Sequence, residues 1–399
     1  MDFEVPGPDD ERRVAVREWI AAHPGSTPRQ LAESGYVAPH WPAPWGRGAD
    51  PVEQLLVDDE LARAGVRRPV NPIGIGWAGP TLLYAGTPEQ QQRYLPGLLS
   101  GEQFWCQLFS EPGAGSDLAG LRTTAVRDGD EFVVNGQKIW TSGADIAAFG
   151  ILIARTDPEA PKHRGISYFV CPMDRPGIDV RPIVAMTGGQ TFNEVFFTDV
   201  RIPADHLVGE LNDGWRLAKV TLGNERVSLS TGGVLWGNGP NALDFLEAVR
   251  AAGPVTDSVM RQRLAAVYTE HRLLELIRLR TLTARLRGDQ PGPEASIRKL
   301  MADEHGQRVM AAARDLLGAS AMLTGADADD RSPPSRFGGI GASSGRDRGR
   351  VEPLDRPGWY DGFLFSQALT IGGGTADVQR TIIAERVLGL PSHAFTSPG

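Results

Sequence analysis

The chain has 399 residues, 41% hydrophobic and 23% charged, which is enough apolar material for a large core and more than one compact unit, so disorder as the main state is excluded. Lys plus Arg number 41 against 49 Asp plus Glu, a formal net charge of -8, and with no long basic run there is no electrostatic reason to hold nucleic acid. The opening MDFEVPGPDDERRVAVREWI is acidic and broken by proline, and no later stretch approaches the ~18 apolar residues that cross a bilayer, so no membrane segment and a cytoplasmic location are expected. Cys106 and Cys171 are not in CxxC spacing and the histidines form no HxH or HExxH, so no protein metal site is expected.

The first 104 residues read as helices. Asp50 before Pro51 is an N-cap with proline at the first helical position, and Leu55, Leu56, Leu61 and Ala62 form the apolar stripe behind it. Thr87, Pro88 and Gln90 repeat the device as a near-complete capping box ahead of Tyr94, Leu95, Leu98 and Leu99. From about Trp105 the apolar period becomes alternating. Asp128-Gly129 and Asn135-Gly136 bracket Phe132-Val133-Val134, the pattern of a tight antiparallel meander, and strand-like runs follow at 150–155, 167–171 and 194–199. After Gly209-Glu210, residues 215–231, 257–287 and 293–317 carry helical apolar spacing, with Gly288 and Gly318 as stops. The expected organisation is a helical domain over 1–104, a β domain over 105–211 and a helical bundle over 212–399, interrupted at 327–355 by a Gly/Ser/Pro/Arg-rich insertion without apolar period.

Three local patterns suggest chemistry but do not carry it. Gly74-Ile75-Gly76-Trp77-Ala78-Gly79 satisfies GxGxxG, yet it lies between Pro72 and Pro80 with neither a strand before nor a helix after, and reads as a plain loop. Gly341-Ala342-Ser343-Ser344-Gly345 satisfies GxSxG inside the insertion, not at a strand-to-helix turn. His271, Cys106 and Cys171 read as structural residues, the cysteines as small buried hydrophobes.

A different constellation carries more. In Trp105-Cys-Gln-Leu-Phe-Ser-Glu-Pro-Gly-Ala-Gly-Ser-Asp117 a strand runs into Pro112, Gly113 and Gly115, where the absent Cβ atoms let backbone approach a flat or anionic ligand. Further on, Gly136-Gln-Lys-Ile-Trp-Thr-Ser-Gly143 sets a tryptophan beside two hydroxyls, either a ligand cover or a core tryptophan. In Ile371-Gly-Gly-Gly-Thr375-Ala-Asp377 three glycines lead into an N-cap threonine and a helix, a place that favours phosphate, although a simple tight turn is the bland alternative.

With these stretches in hand, WCQLFSEPGAGSDLAG, NGQKIWTSGA, FNEVFFTDVRIP and IGGGTADVQRTIIAERVLGLP occur in the order and at the intervals of the acyl-CoA dehydrogenase family, which the chain resembles over nearly its whole length. It looks most like the bacterial subgroup carrying GTPEQQQRYLPGLLSGE and a GGGT motif. The resemblance implies an α+β architecture: an N-terminal helical domain, a middle β-barrel and a C-terminal four-helix bundle, with FAD held between the last two domains and across a subunit interface. It places Gln107, Phe109 and Ser110 against the flavin ring, Trp140, Thr141 and Ser142 over its other side, Ser116 at the acyl-CoA ligand, and Gly374, Thr375 and Asp377 at the dinucleotide. It also implies an acyl-CoA substrate, an electron-transfer flavoprotein as acceptor, and a tetramer.

Many members place the catalytic glutamate two residues before that threonine, and here the position is Gly373. A smaller set puts the base on an earlier helix immediately before an arginine, which the resemblance maps to Glu225 and Arg226. At 100° per residue Glu225 lies within about 40° of Thr221 and Leu229 and about 60° of Leu222, a largely apolar flank where desolvation would raise its pKa. Such a carboxylate removes the α-proton of a thioester while the β-hydrogen leaves as hydride to the flavin, giving a trans-2-enoyl product. Two departures concern what the chain gives a neighbour: Glu247 stands near the family's phosphate-binding arginine and Asp315 near its adenine-binding glutamine. A mixed tetramer with a second acyl-CoA-dehydrogenase-like chain is one expectation, and a homo-oligomer using Arg250 or Arg261 is the other. A dehydrogenase of carrier-protein thioesters, a flavin oxidase and a non-catalytic subunit remain alternative readings of the whole.

Overall fold

A computed structural model describes residues 6–231, 241–286, 292–319 and 357–391, which fall into two compact units, one running through Glu225 and the other taking the described residues from Arg226 onward. The proposed insertion at 327–355, Gly288 and the GxSxG string lie outside the described residues.

The first unit opens with helices α1 (Glu11–Ala22), α2 (Pro28–Glu33), α3 (Pro51–Arg63), α4 (Gly79–Ala85) and α5 (Pro88–Ser100). Asp50 caps α3 by accepting from the Glu53 amide at 2.8 Å. On α3, Leu56 and Leu61 are buried together with Val57 and Glu60, whereas Ala62 is exposed, so the stripe is one residue out of phase with the sequence reading at its end. The capping box of α5 is complete: Gln90 N–H donates to Thr87 Oγ1 at 3.2 Å and Thr87 N–H donates to Gln90 Oε1 at 3.1 Å. Tyr94, Leu95, Leu98 and Leu99 are all buried behind it, each such side chain being worth roughly 1.5–3 kcal/mol of burial.

The GxGxxG stretch is not a loop. Pro72 starts a helical turn, Gly74–Ala78 form a π turn, and the chain continues directly into α4 with Pro80 in its first turn. Pro72 occupies a first-turn position where its missing N–H has no helical partner to lose, so it begins helix instead of breaking it, and Pro80 follows directly on the π turn within the same helical run.

The sheet contains β1 (Trp105–Leu108), β2 (Thr124–Asp128), β3 (Glu131–Ser142), β4 (Phe149–Arg155), β5 (Ile166–Pro172), β6 (Ile178–Ile183), β7 (Phe192–Pro203) and β8 (Leu207–Val208). Among the described residues its order is β6-β7-β3-β2-β4-β5-β8, with β1 parallel to β4. Asp128-Gly129 makes the expected β2–β3 turn. Asn135-Gly136 does not turn: β3 runs straight through it as a bulge against β7. Gly136 sits at φ 152°, and a Cβ there would lie 2.4 Å from Thr123 Oγ1, so close strand approach explains this glycine. Phe132 and Phe169, with ring centroids 4.9 Å apart, centre a core that includes Cys106, Leu108, Val134, Leu152 and Cys171. Burial pushes the Cys171 thiol up to about 12 and that of Cys106 well above its ordinary value, as fits apolar packing residues. Helix α6 (Gly214–Thr231) then leaves the sheet and carries the chain into the second unit.

In that second unit α7 (Ala242–Ala252), α8 (Ser258–Leu286), α10 (Pro357–Ser366) and α11 (Ala376–Ile382) all pack on α9 (Ala295–Leu317). Gln307 of α9 donates to the Ser366 carbonyl at 3.2 Å and to Thr370 Oγ1 at 3.1 Å, which ties down the chain just ahead of the three glycines. A buried Lys299–Asp303 pair on α9 sets the two charges against one another out of water. Among the described residues no helix is long and apolar enough to cross a membrane.

Candidate functional site

In the first unit three segments converge. The chain leaving β1 is stitched to β3 by Ile139 N–H donating to the Ser110 carbonyl at 2.9 Å. Lys138 Nζ, fully buried, donates to the Phe109 carbonyl at 3.0 Å and to Glu111 Oε1 at 2.9 Å. Glu111 in turn accepts from the amides of Arg122 at 2.6 Å and Thr123 at 2.9 Å, so one carboxylate closes the neck of the Pro112–Arg122 loop. Desolvation alone would raise the Glu111 pKa, but Lys138 and the hydrogen bonds outweigh it and the carboxyl is held below its ordinary value. The reading of the sequence passed over this pair. Its signal was available: even spacing from Phe132 and Val134 sets Lys138 on the inward side of β3.

The same spacing would also bury Trp140, and here the chain departs from it. A second bulge between Lys138 and Thr141 puts Trp140 at φ 62° and turns its side chain outward, 58% exposed and edge-on to Phe192 at 6.0 Å. Trp140 is therefore not a core tryptophan. A bulky residue in the left-handed region stores strain that clusters at functional positions. Thr141 takes the inward place; its carbonyl accepts from Asn193 Nδ2 at 3.0 Å, while its buried Oγ1 has no hydrogen-bond partner among the described residues. Ser142 is half-buried beside it.

Gln107, on β1, donates through Nε2 to Glu225 Oε2 of α6 at 3.3 Å, and its Oε1 is buried with no hydrogen-bond partner among the described residues. Glu225 is 7% exposed. The flank around it is less apolar than expected. One turn earlier on α6, Thr221 Oγ1 lies 2.8 Å from Thr81 Oγ1 and 3.0 Å from the Tyr168 hydroxyl, three buried hydroxyls that fix the rotation of the helix. The Tyr168 ring meets Phe109 edge-on at 6.0 Å, so the Phe109 side chain faces the core and only its backbone and Ser110 remain to meet a ligand. Ser116 is exposed on the loop. The side chains of Arg226 and Leu229 lie outside the described residues.

The second unit holds the remaining sequence candidates. Gly373 at φ 65° and Gly374 at φ 91° are both left-handed, which favours glycine at each. The Thr375 hydroxyl is already the cap of α11, accepting from the Val378 amide at 3.2 Å. Asp377 is solvent-exposed and pairs with Arg380 at 3.1 Å. Asp315 is held by Arg263 at 2.6 Å and Arg314 at 2.7 Å, so its charge is compensated within the chain, while Glu247 is exposed.

Comparison with known proteins gives three contiguous matches: the N-terminal domain of acyl-CoA dehydrogenase over residues 10–102, its middle domain over 106–200 and its C-terminal domain over 212–388. Acyl-CoA dehydrogenase FadE34 of Mycobacterium tuberculosis is 43% identical over 389 residues, covering 97% of this chain. The chain belongs to the acyl-CoA dehydrogenase family. It spans about half the length of FadE34, 49%, but 91% of acyl-CoA dehydrogenase IpdE1 from the same organism, with which it shares 37% identity over 98% of its own length. Among solved structures, a "Tcur3481-Tcur3483 steroid ACAD" matches at 31% identity with a TM-score of 0.73, covering 98% of this chain and 100% of that one. The ChsE4-ChsE5 complex from Mycobacterium tuberculosis matches at 32% identity and a TM-score of 0.72, with the same coverage.

Acyl-CoA dehydrogenases use FAD, and the first unit fits such a ring. The Thr141 hydroxyl and Gln107 amide oxygen are buried hydrogen-bonding groups without a partner among the described residues, and Trp140 is an aromatic face turned to the outside beside one of them. Gly373 stands at φ 65°, a left-handed backbone that favours glycine, and Glu225 lies in ordinary helix.

Proposed function

We propose that this chain is an FAD-dependent dehydrogenase that forms an α,β double bond in an acyl-CoA thioester, with Glu225 as base and a trans-2-enoyl-CoA as product. The observation that supports this most is a carboxylate buried at Glu225 and tied to the flavin strand through Gln107, in a chain whose usual base position is a left-handed glycine. Ser110, Trp140, Thr141 and Ser142 would hold the ring, and Gly374, Thr375 and Asp377 the dinucleotide. When bound, FAD supplies the two-electron acceptor for the β-hydride. Glu225 takes the α-proton, and Ser116 lies on the loop that would meet the CoA ester. The reduced enzyme would be reoxidised by an electron-transfer flavoprotein in the cytoplasm.

The relative described as a steroid acyl-CoA dehydrogenase and the chain's GGGT subgroup motif favour a bulky, polycyclic acyl group. Likeness to a two-chain complex, together with exposed Glu247 near the place of a phosphate-binding arginine, favours a mixed tetramer with a second acyl-CoA-dehydrogenase-like chain. A homo-oligomer is the second reading, favoured by the internal pairing of Asp315 and the exposure of Arg250 and Arg261. The test is to express the chain alone, measure FAD per subunit, and add short, branched and steroidal acyl-CoAs without oxygen. Bleaching of the flavin band near roughly 450 nm by one ester class is expected. No bleaching by any would overturn the dehydrogenase, and one tight flavin per chain in a stable homo-oligomer would overturn the mixed tetramer.

A further inference from the structure

We propose that Lys138 and Glu111 are positioning residues for the CoA ester, holding the 112–122 loop in its binding shape before any ligand arrives. This rests on the reading of that loop, through Ser116, as a contact to the acyl-CoA.

The loop has a buried side and an open rim. Ala114, Leu118 and Ala119 are buried, whereas Gly113, Gly115 and Ser116 stand exposed. The buried side is fastened along its length. Glu111 and Ala114 exchange amide-to-carbonyl bonds of 3.0 Å, the Glu111 carboxylate takes the Arg122 and Thr123 amides, and Arg155 Nη2 donates to the Ala119 carbonyl at 2.7 Å. The rim is different. Neither Gly113 nor Gly115 has a left-handed backbone, and a Cβ added to either would meet nothing within 4 Å. The chain's own fold therefore requires glycine at neither place, and what the missing Cβ atoms leave room for is the close approach of an outside molecule to the backbone.

Lys138 decides how firmly that rim is held. Burial by itself drives the Glu111 carboxyl toward its neutral acid, and the ammonium beside it is the largest opposing influence. Without Lys138 the carboxylate would lose charge, and with it the strength of its bonds to the two amides at the far end of the loop. With Lys138 in place, the Phe109 carbonyl, the Glu111 carboxylate and both ends of the loop share one fixed contact, so ligand binding does not have to order the loop.

A pair that served folding alone would affect stability and leave the affinity of the folded protein unmoved. The probe is coenzyme A, which carries the part common to every acyl-CoA and has no acyl chain to dehydrogenate, titrated by calorimetry into the purified protein. Lys138→Met combined with Glu111→Gln removes both charges together and so avoids leaving one buried alone. CoA affinity should fall about tenfold, because ordering of the loop then falls on binding. The acyl-CoA concentration for half-maximal flavin reduction should rise with it, while the limiting rate stays within about threefold. Leu61→Ala, a truncation in the buried face of α3, also lowers stability and should leave CoA affinity unchanged. Arg155→Met frees only the Ala119 end of the loop; it should weaken CoA in the same direction, and it decides the matter if the double variant does not fold. Unmoved affinity in the folded loop variants, or no CoA binding by the wild type, would overturn the proposal. Failure of every acyl-CoA to bleach the flavin would instead sink the dehydrogenase reading and leave the CoA result standing.

Discussion

Lys138 and Glu111 form an ion pair, 2.9 Å between Nζ and Oε1, that joins β3 to the start of the loop after β1, both side chains out of water. Because the same ammonium also takes the Phe109 carbonyl and the same carboxylate takes two amides of the loop's far end, the exit of β1 and the loop are held by one buried contact. Removing one partner of such a pair leaves the other charge uncompensated.

Lys138→Met should therefore destabilise the chain by about 3–5 kcal/mol at neutral pH. Burial pushes the Lys138 ammonium down to about 8, against the pull of Glu111. In the unfolded chain a lysine keeps its proton to about 10.4, so between these values the unfolded state binds more protons and the contribution of Lys138 to unfolding free energy rises with pH. Urea unfolding from pH 7 to pH 10 should show the wild type gaining on Lys138→Met above pH 8. A constant difference between the two would contradict the assignment.

Trp140 pairs a strained backbone with an exposed ring, so its replacement by glycine should separate folding from cofactor retention. Relief of the left-handed φ, roughly 1–2 kcal/mol, offsets loss of the Phe192 contact, and the FAD-free chain should change stability by no more than about 1 kcal/mol. Flavin affinity should fall about tenfold as one aromatic stack is lost. Equilibrium dialysis against FAD reads the second quantity, and an undiminished affinity would show that Trp140 does not face the ring.

Glu225→Gln preserves shape and hydrogen bonding but removes basicity. The rate of flavin reduction by a competent acyl-CoA should drop by at least ~10²-fold while the visible spectrum of the bound flavin persists. A rate close to wild type would move the base to another carboxylate.

Much of the chain was legible because its signals are local. The caps at Asp50 and Thr87 need only residues three apart, and the Asp128-Gly129 turn needs only its own two. The order and spacing of the dehydrogenase motifs were equally plain on the page, and the matches over 10–102, 106–200 and 212–388 carry the same family. What the sequence could not decide was set by pairing between distant segments. Asn135-Gly136 has turn composition, but β7 pairs on both sides of it, so the glycine serves close approach to Thr123 within a bulge. Trp140 has the parity of a core residue, and a second bulge turns it out while Lys138 stays buried against Glu111. Gln107 and Glu225 are 118 residues apart, and neither shows in its own neighbourhood that it will meet the other. A hydrogen bond between a β strand and a helix depends on where the whole unit sets the two backbones, here through Thr81, Tyr168 and Thr221, and no local pattern encodes that.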